Sequence, residues 1–208
     1  MKIRTFRKIA LTVVVMLAVM SLLCVTAFAA DTTETASSAM AEVFKGIFSG
    51  TNLALLGAAL AVALPCMGSA KGVSLVGEAS NGLMSENPAL FGKSMLLQAL
   101  PMTQGVYGLA ASFMILYMLG LFGNISYLQN LTFAQGGYYL MASLPIALAG
   151  YFSAIRQGRV AASGINLLSK RPAEVVKAVI SSALVETYAI FALLITLLLV
   201  FFSPFKGI

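Results

Sequence analysis

The chain has 208 residues, 60% of them apolar and only 10% charged, with no His, no Trp and a net charge of +6. A soluble domain carries about a quarter charged residues, so this composition excludes an ordinary soluble enzyme and points to an integral membrane protein. The positive charge does not indicate nucleic acid as a partner. Its basic residues cluster in the N-terminal segment and in one loop, without basic and aromatic residues interleaved on a soluble face.

The first thirty residues, MKIRTFRKIALTVVVMLAVMSLLCVTAFAA, open with Lys2, Arg4, Arg7 and Lys8, run through an apolar core and end in Ala27-Phe28-Ala29. That order predicts a secretory signal peptide over residues 1–29, the alternative being an uncleaved fifth transmembrane helix. Cys24 does not read as a lipoprotein site, because Leu23 precedes it where a small residue is needed. A short polar linker, DTTETASSAM, and an amphipathic stretch lead to the first span.

Four apolar spans follow, at residues 51–70, 94–122, 137–155 and 178–202, each long enough to cross a bilayer. Loop 71–93 holds Lys71 and Lys93, loop 123–136 holds no Lys or Arg, and loop 156–177 holds Arg156, Arg159, Lys170, Arg171 and Lys177. The excess of basic residues places loops 71–93 and 156–177 in the cytoplasm and both ends of the mature chain outside, in a plasma-membrane protein. SENPALFGK (85–93) and SKRPAEVVK (169–177) share Ser, Pro, Ala and Lys at the same spacing. The expected fold is therefore an all-α membrane protein of four transmembrane helices in two tandem duplicated hairpins, residues 30–123 and 124–208. Sliding the first copy forward until Ser85 lies on Ser169 and Lys93 on Lys177 sets Met102 opposite Glu186, with Gln104 as the alternative counterpart.

Small residues recur every four positions in the first and third spans, at Gly50, Ala54 and Ala58 and at Gly150, Ala154 and Gly158. This spacing lets helix backbones approach closely in lipid, within a subunit or along an inner wall shared by many. In the second span, LLQALPMTQGVYGLAAS puts Leu100, Thr103, Gln104 and Tyr107 at i, i+3, i+4 and i+7, on one helical face. Pro101 lacks an N–H, so it frees the carbonyl one turn back at Leu97 and disturbs the helix there. The face offers a hydroxyl, an amide and a loosened carbonyl, oxygen donors that suit a hard cation such as Na⁺. A lone Thr or Gln in lipid usually just bonds a neighbouring helix, but three such groups opposite an acid favour a site.

Gln157, at the cytoplasmic end of the third span between Arg156 and Arg159, reads as an interfacial residue, and no spacing links it to an acid. The fourth span contains a single charged residue, Glu186. A carboxylate at that depth costs on the order of 2.5–3.5 kcal/mol, so it needs a partner. With no His and no CxxC, neither a disulfide nor a resident metal centre is expected. No phosphate-binding glycine–lysine motif occurs, so the chain itself is not expected to hydrolyse ATP, and no cofactor beyond a transported ion is implied. From the residues alone, a small secondary transporter or channel using Glu186 remains open.

LPMTQGVYG, FSAIRQGRVAASGINLLSKRP and LVETYAIF resemble the proteolipid subunit K of bacterial V-type ATPases, in order and over residues 55–202. The resemblance implies a homo-oligomeric membrane rotor ring in which each copy carries one Na⁺ or H⁺ on the fourth-helix glutamate. It implies Na⁺ held by Glu186, Gln104, Gln157, Thr103 and the Leu100 carbonyl, with Tyr107 hydrogen-bonded to the carboxylate. It also implies a stator subunit supplying an Arg, and a central stalk docking on the cytoplasmic loops.

Overall fold

The computed structural model describes residues 34–205 apart from Asn124, so the expected signal peptide and Cys24 lie outside the described residues. The chain divides into two units, Met1–Lys45 and Gly46–Ile208. Helix α1 (Glu34–Ile47) lies almost wholly in the first, where exposed Lys45 and Glu42 stand 3.9 Å apart.

The second unit holds the four helical spans. Helix α2 (Gly50–Glu86) is followed by the 3₁₀ turn Pro88–Leu90, α3 (Phe91–Ala99), a second 3₁₀ turn Leu100–Met102 and α4 (Thr103–Met118). A short α5 (Ile125–Gln129) leads to α6 (Phe133–Lys170), the 3₁₀ turn Pro172–Glu174 and α7 (Val175–Phe201). Four stretches are long and apolar enough to cross a membrane, Gly50–Glu86, Pro88–Met118, Phe133–Lys170 and Pro172–Phe201. No strand occurs among the described residues.

Local chemistry sets the boundaries. Ser49 caps α2 by accepting the Asn52 N–H at 3.2 Å. Thr132 and Gln135 form a capping box at the start of α6, with bonds of 2.8 and 3.3 Å. Helices α2 and α6 end at Asn87 and Arg171 because each precedes a proline, which pushes the residue before it out of the helical region. The two junctions are near copies. Asn87 has φ −140° and ψ 85°, Arg171 φ −141° and ψ 76°. Asn87 N–H donates to Leu83 and Arg171 N–H to Leu167, and Ser85 and Ser169 each donate to the carbonyl three residues back. Every member of one set lies one repeat from its counterpart in the other, in the register that pairs Ser85 with Ser169, as the duplicated hairpin requires.

Two expectations about extent are corrected. Loops 71–93 and 156–177 are mostly helix, because α2 runs on to Glu86 and α6 to Lys170. At 1.5 Å per residue these helices are about 55 Å long, well beyond the roughly 30 Å hydrocarbon core. The prolines therefore mark where the helices stop, well past the basic residues Lys71, Arg156 and Arg159. The second span ends at Met118 instead of residue 122, and Gly120, at φ 78°, turns the chain there.

The small-residue pattern serves the packing of α2 on α6. A Cβ on Gly158 would sit 2.4 Å from the Gly72 Cα, and one on Gly136 1.9 Å from the Gly50 carbonyl oxygen. The two backbones touch, as small residues at such spacing allow. Pro65 fills the space left by the missing side chains of Gly108 and Gly150, at 2.9 Å from a Cβ built on either. Two apolar clusters result, one around Ala58, Ile115 and Ile146, the other around Val76, Leu97 and Ile165. The hydroxyls of Tyr138 and Tyr139 donate to the carbonyls of Leu199 and Phe205, fixing the end of α7 against α6.

Candidate functional site

Between the two apolar clusters lies a belt of polar side chains. Helix α4 supplies Thr103, Gln104 and Tyr107, α6 supplies Ser153 and Gln157, and α7 supplies Ser182 and Glu186. Gln104 and Gln157 are both 0% exposed, so each must be satisfied by protein.

The bonds form a connected chain. Tyr107 donates its hydroxyl to Glu186 Oε1 at 2.5 Å, and Gln157 Nε2 donates to Glu186 Oε2 at 3.3 Å. Gln104 Nε2 donates to Gln157 Oε1 at 2.5 Å. The Thr103 hydroxyl lies 3.5 Å from Gln104 Oε1 and donates to the Leu100 carbonyl at 3.0 Å. That carbonyl also accepts the Thr103 N–H within the 3₁₀ turn that holds Pro101. The structure thus brings together all six residues singled out from the sequence: Leu100, Thr103, Gln104, Tyr107, Gln157 and Glu186.

Two details differ from the sequence reading. Gln157, which no spacing linked to an acid, is fully buried within the 38-residue α6 and donates to Glu186. Glu186 is half-buried in the single chain, because α7 packs only one flank on its neighbours while Leu184 and Tyr188 stay 64% and 68% exposed. Sequence reasoning missed Ser153 and Ser182. Ser153 Oγ donates to the Val185 carbonyl at 2.9 Å and receives Gln104 Nε2 at 3.5 Å, and Ser182 Oγ reaches the Gln157 carbonyl at 3.4 Å. The repeat carried a signal for Ser153, since Ser69 is its counterpart on the first hairpin and accepts the Gly105 N–H at 2.9 Å.

Buried side-chain atoms without a partner among the described residues are the hydroxyls of Ser80, Ser94 and Tyr127, none of them in this belt. Glu186 forms no ion pair among the described residues. The site is therefore one acid, hydrogen-bonded but without a fixed cation, beside two amides, hydroxyls and a carbonyl.

The family model for the ATP synthase C subunit matches the chain twice, at residues 56–115 and 140–199. The chain belongs to the ATP synthase C-subunit family. The two matches set position 56 on 140 and position 115 on 199, which is the offset of the structural repeat. Met102 is accordingly the counterpart of Glu186 in this family member, and Gln104 is not. The chain is 44% identical over 151 residues to the V-type sodium ATPase subunit K of Enterococcus hirae, covering 73% of this chain and 92% of that protein. It is 37% identical over 155 residues to the A-type ATP synthase subunit K of Methanocaldococcus jannaschii, covering 74% of this chain and 64% of that longer protein. With its four apolar spans, the chain is a multi-pass membrane member of the C-subunit family.

Proposed function

We propose that the chain is the rotor-ring subunit of a V-type ATPase and that Glu186 carries one ion per copy across the bilayer, Na⁺ in preference to H⁺. One observation carries the reading: Tyr107 and Gln157, with Gln104 behind it, converge on Glu186, the one acid within the apolar stretch 178–202. A bare carboxylate is costly in lipid, whereas a carboxylate with a bound cation is neutral and turns through the bilayer at far lower cost. Na⁺ must replace most of its hydration by oxygens, and the belt supplies them from Glu186, Gln104, Gln157, Thr103 and the Leu100 carbonyl. An amide offers oxygen on one side and nitrogen on the other, so a half-turn of Gln104 and Gln157 exchanges a hydrogen-bond relay for two oxygen ligands. Tyr107 holds the carboxylate in place. A proton needs only the carboxyl and one neighbour, which leaves the remaining donors without a purpose. The sodium specificity in the name of the Enterococcus hirae relative supports the same choice.

The remaining parts of the machine are supplied by partners. No Lys or Arg pairs with Glu186 among the described residues, which fits an Arg brought by a stator subunit when the site is charged. ATP hydrolysis belongs to other subunits, and this chain is non-catalytic. The ends of α2 and α6 that lie beyond Lys71 and Arg156 are in the cytoplasm, where the turns at Asn87 and Arg171 meet the central stalk; the termini lie outside the plasma membrane.

The test is carbodiimide labelling of the purified, assembled protein, since the reagent attacks protonated carboxyls in apolar surroundings. Glu186 is expected to be labelled, and millimolar Na⁺ at fixed pH is expected to slow that labelling severalfold. Glu186→Gln should abolish both labelling and transport with the assembly intact. Labelling that follows pH and ignores Na⁺ would make the chain a proton carrier, and labelling that survives Glu186→Gln would remove the site.

A further inference from the structure

Among the hydrogen bonds that tie the first hairpin to the second within one copy, two share a spacing. Lys93 Nζ donates to the Pro172 carbonyl at 2.9 Å, and Tyr107 OH donates to Glu186 at 2.5 Å. In both, the donor belongs to the first hairpin and the acceptor lies 79 residues further on. Moving each residue by one repeat turns the donors into Lys177 and Phe191 and the acceptors into Pro88 and Met102. All four are exposed in the single chain, Phe191 by 62% and Met102 by 54%.

The shifted pair has kept its chemical match. Tyr against Glu has become Phe against Met, so the hydroxyl and the acid are absent together. Had only one been replaced, the other would face an apolar group once covered, which is costly. Met102 also lines an apolar cavity of about 280 Å³ with Val62, Cys66, Val106 and Leu109. The corresponding place on the second hairpin, at Glu186 and Ser153, is covered by Tyr107 and Gln104 of the first. The cavity at Met102 has no such cover within one copy. Helices α2 and α6 repeat the pattern. Gly68 meets Tyr151 and Gly57 meets Leu140, and the shifted partners are Phe152 with Met67 and Met141 with Leu56. All four shifted side chains are exposed, at 59%, 59%, 62% and 48%.

We propose that neighbouring copies meet in the register of the internal repeat. Phe191 and Lys177 of one copy take, against Met102 and the Pro88 carbonyl of the next, the places that Tyr107 and Lys93 take against Glu186 and Pro172 inside it. Phe152 on α6 meets Met67 on α2 of the next copy. This seam rests on the ring reading above and adds to it the residues that touch. Lys177 already pairs with Glu174 of its own turn, where the first hairpin has Leu90, so the lysine is shared and the apolar pairs carry the seam. The occupant of the Met102 cavity is thus a second copy of this chain, named by the side chain it inserts.

The test uses the full chain with Cys24→Ala and Cys66→Ala, purified as the assembled membrane protein and treated with a short bis-maleimide. Met102→Cys with Phe191→Cys should give a ladder of covalent dimers and larger species on a fully denaturing gel, and each single cysteine should give only monomer. Met102→Cys with Ile190→Cys should give no ladder, because Ile190 is exposed but points about 100° around the helix from Phe191. An assembled ring without a ladder from the first pair overturns the seam. If that pair blocks assembly, Met67→Cys with Phe152→Cys decides by the same criterion. A wild-type chain that sediments as a monomer overturns the ring reading and the seam together.

Discussion

The carboxylate of Glu186 receives Tyr107 on one oxygen and Gln157 on the other. A hydrogen bond to a charged group contributes about 1.5–3 kcal/mol, so Tyr107→Phe is expected to raise the Na⁺ concentration that protects Glu186 from carbodiimide roughly ten- to a hundredfold. Labelling at zero Na⁺ should persist, because the carboxyl itself is unchanged; an unaltered protection midpoint would show that Tyr107 does not hold it. The α4 half of this site was legible in the sequence. Leu100, in the 3₁₀ turn, and Thr103, Gln104 and Tyr107 of α4 follow one another at helical spacing, and that spacing alone puts them on one face. Gln157 was not, since its place beside Glu186 depends on how α6 packs against α7. A glutamine flanked by two arginines gives no sign of this, and only the resemblance to a known family brought it in. Ser182 was hidden for the same reason.

At the scale of the helices, the contact of α2 with α6 leaves no room at certain glycines. A Cβ on Gly72 would meet the Ala154 carbonyl oxygen at 2.6 Å and the Pro101 ring at 2.7 Å, and neither is free to move. Gly72→Ala should destabilise the protein by about 1–3 kcal/mol through overpacking. Gly82→Ala is the opposite case. Nothing lies within 4 Å of its would-be Cβ, so it should gain about 0.5–1 kcal/mol from helix propensity. Thermal midpoints in detergent should therefore move in opposite directions, and a shared direction would contradict the packing described. The repeat and the number of spans followed from hydropathy and from the Ser, Pro, Ala and Lys shared by the two turns. Helix length did not, because loss of hydropathy signals the edge of the lipid and carries no instruction to end a helix. The instruction lies in Pro88 and Pro172, and the residues before them obey it.

For the molecule as a whole, the first thirty residues predict cleavage after Ala29, and intact mass measurement of the membrane protein should find a chain that starts beyond it. A mass that includes Met1 would mean a fifth helix instead. The four spans in the described residues contain one candidate carrier, because Met102 occupies on the first hairpin the place of Glu186 on the second. In the proposed rotor this spacing acts as a gear. Each revolution moves one ion for every pair of hairpins, where an acid on every hairpin would move one for each. The work of a revolution is then divided among fewer passengers, so each is lifted against a steeper gradient while fewer cross per turn. A methionine that touches no ion thereby sets how hard the machine pushes.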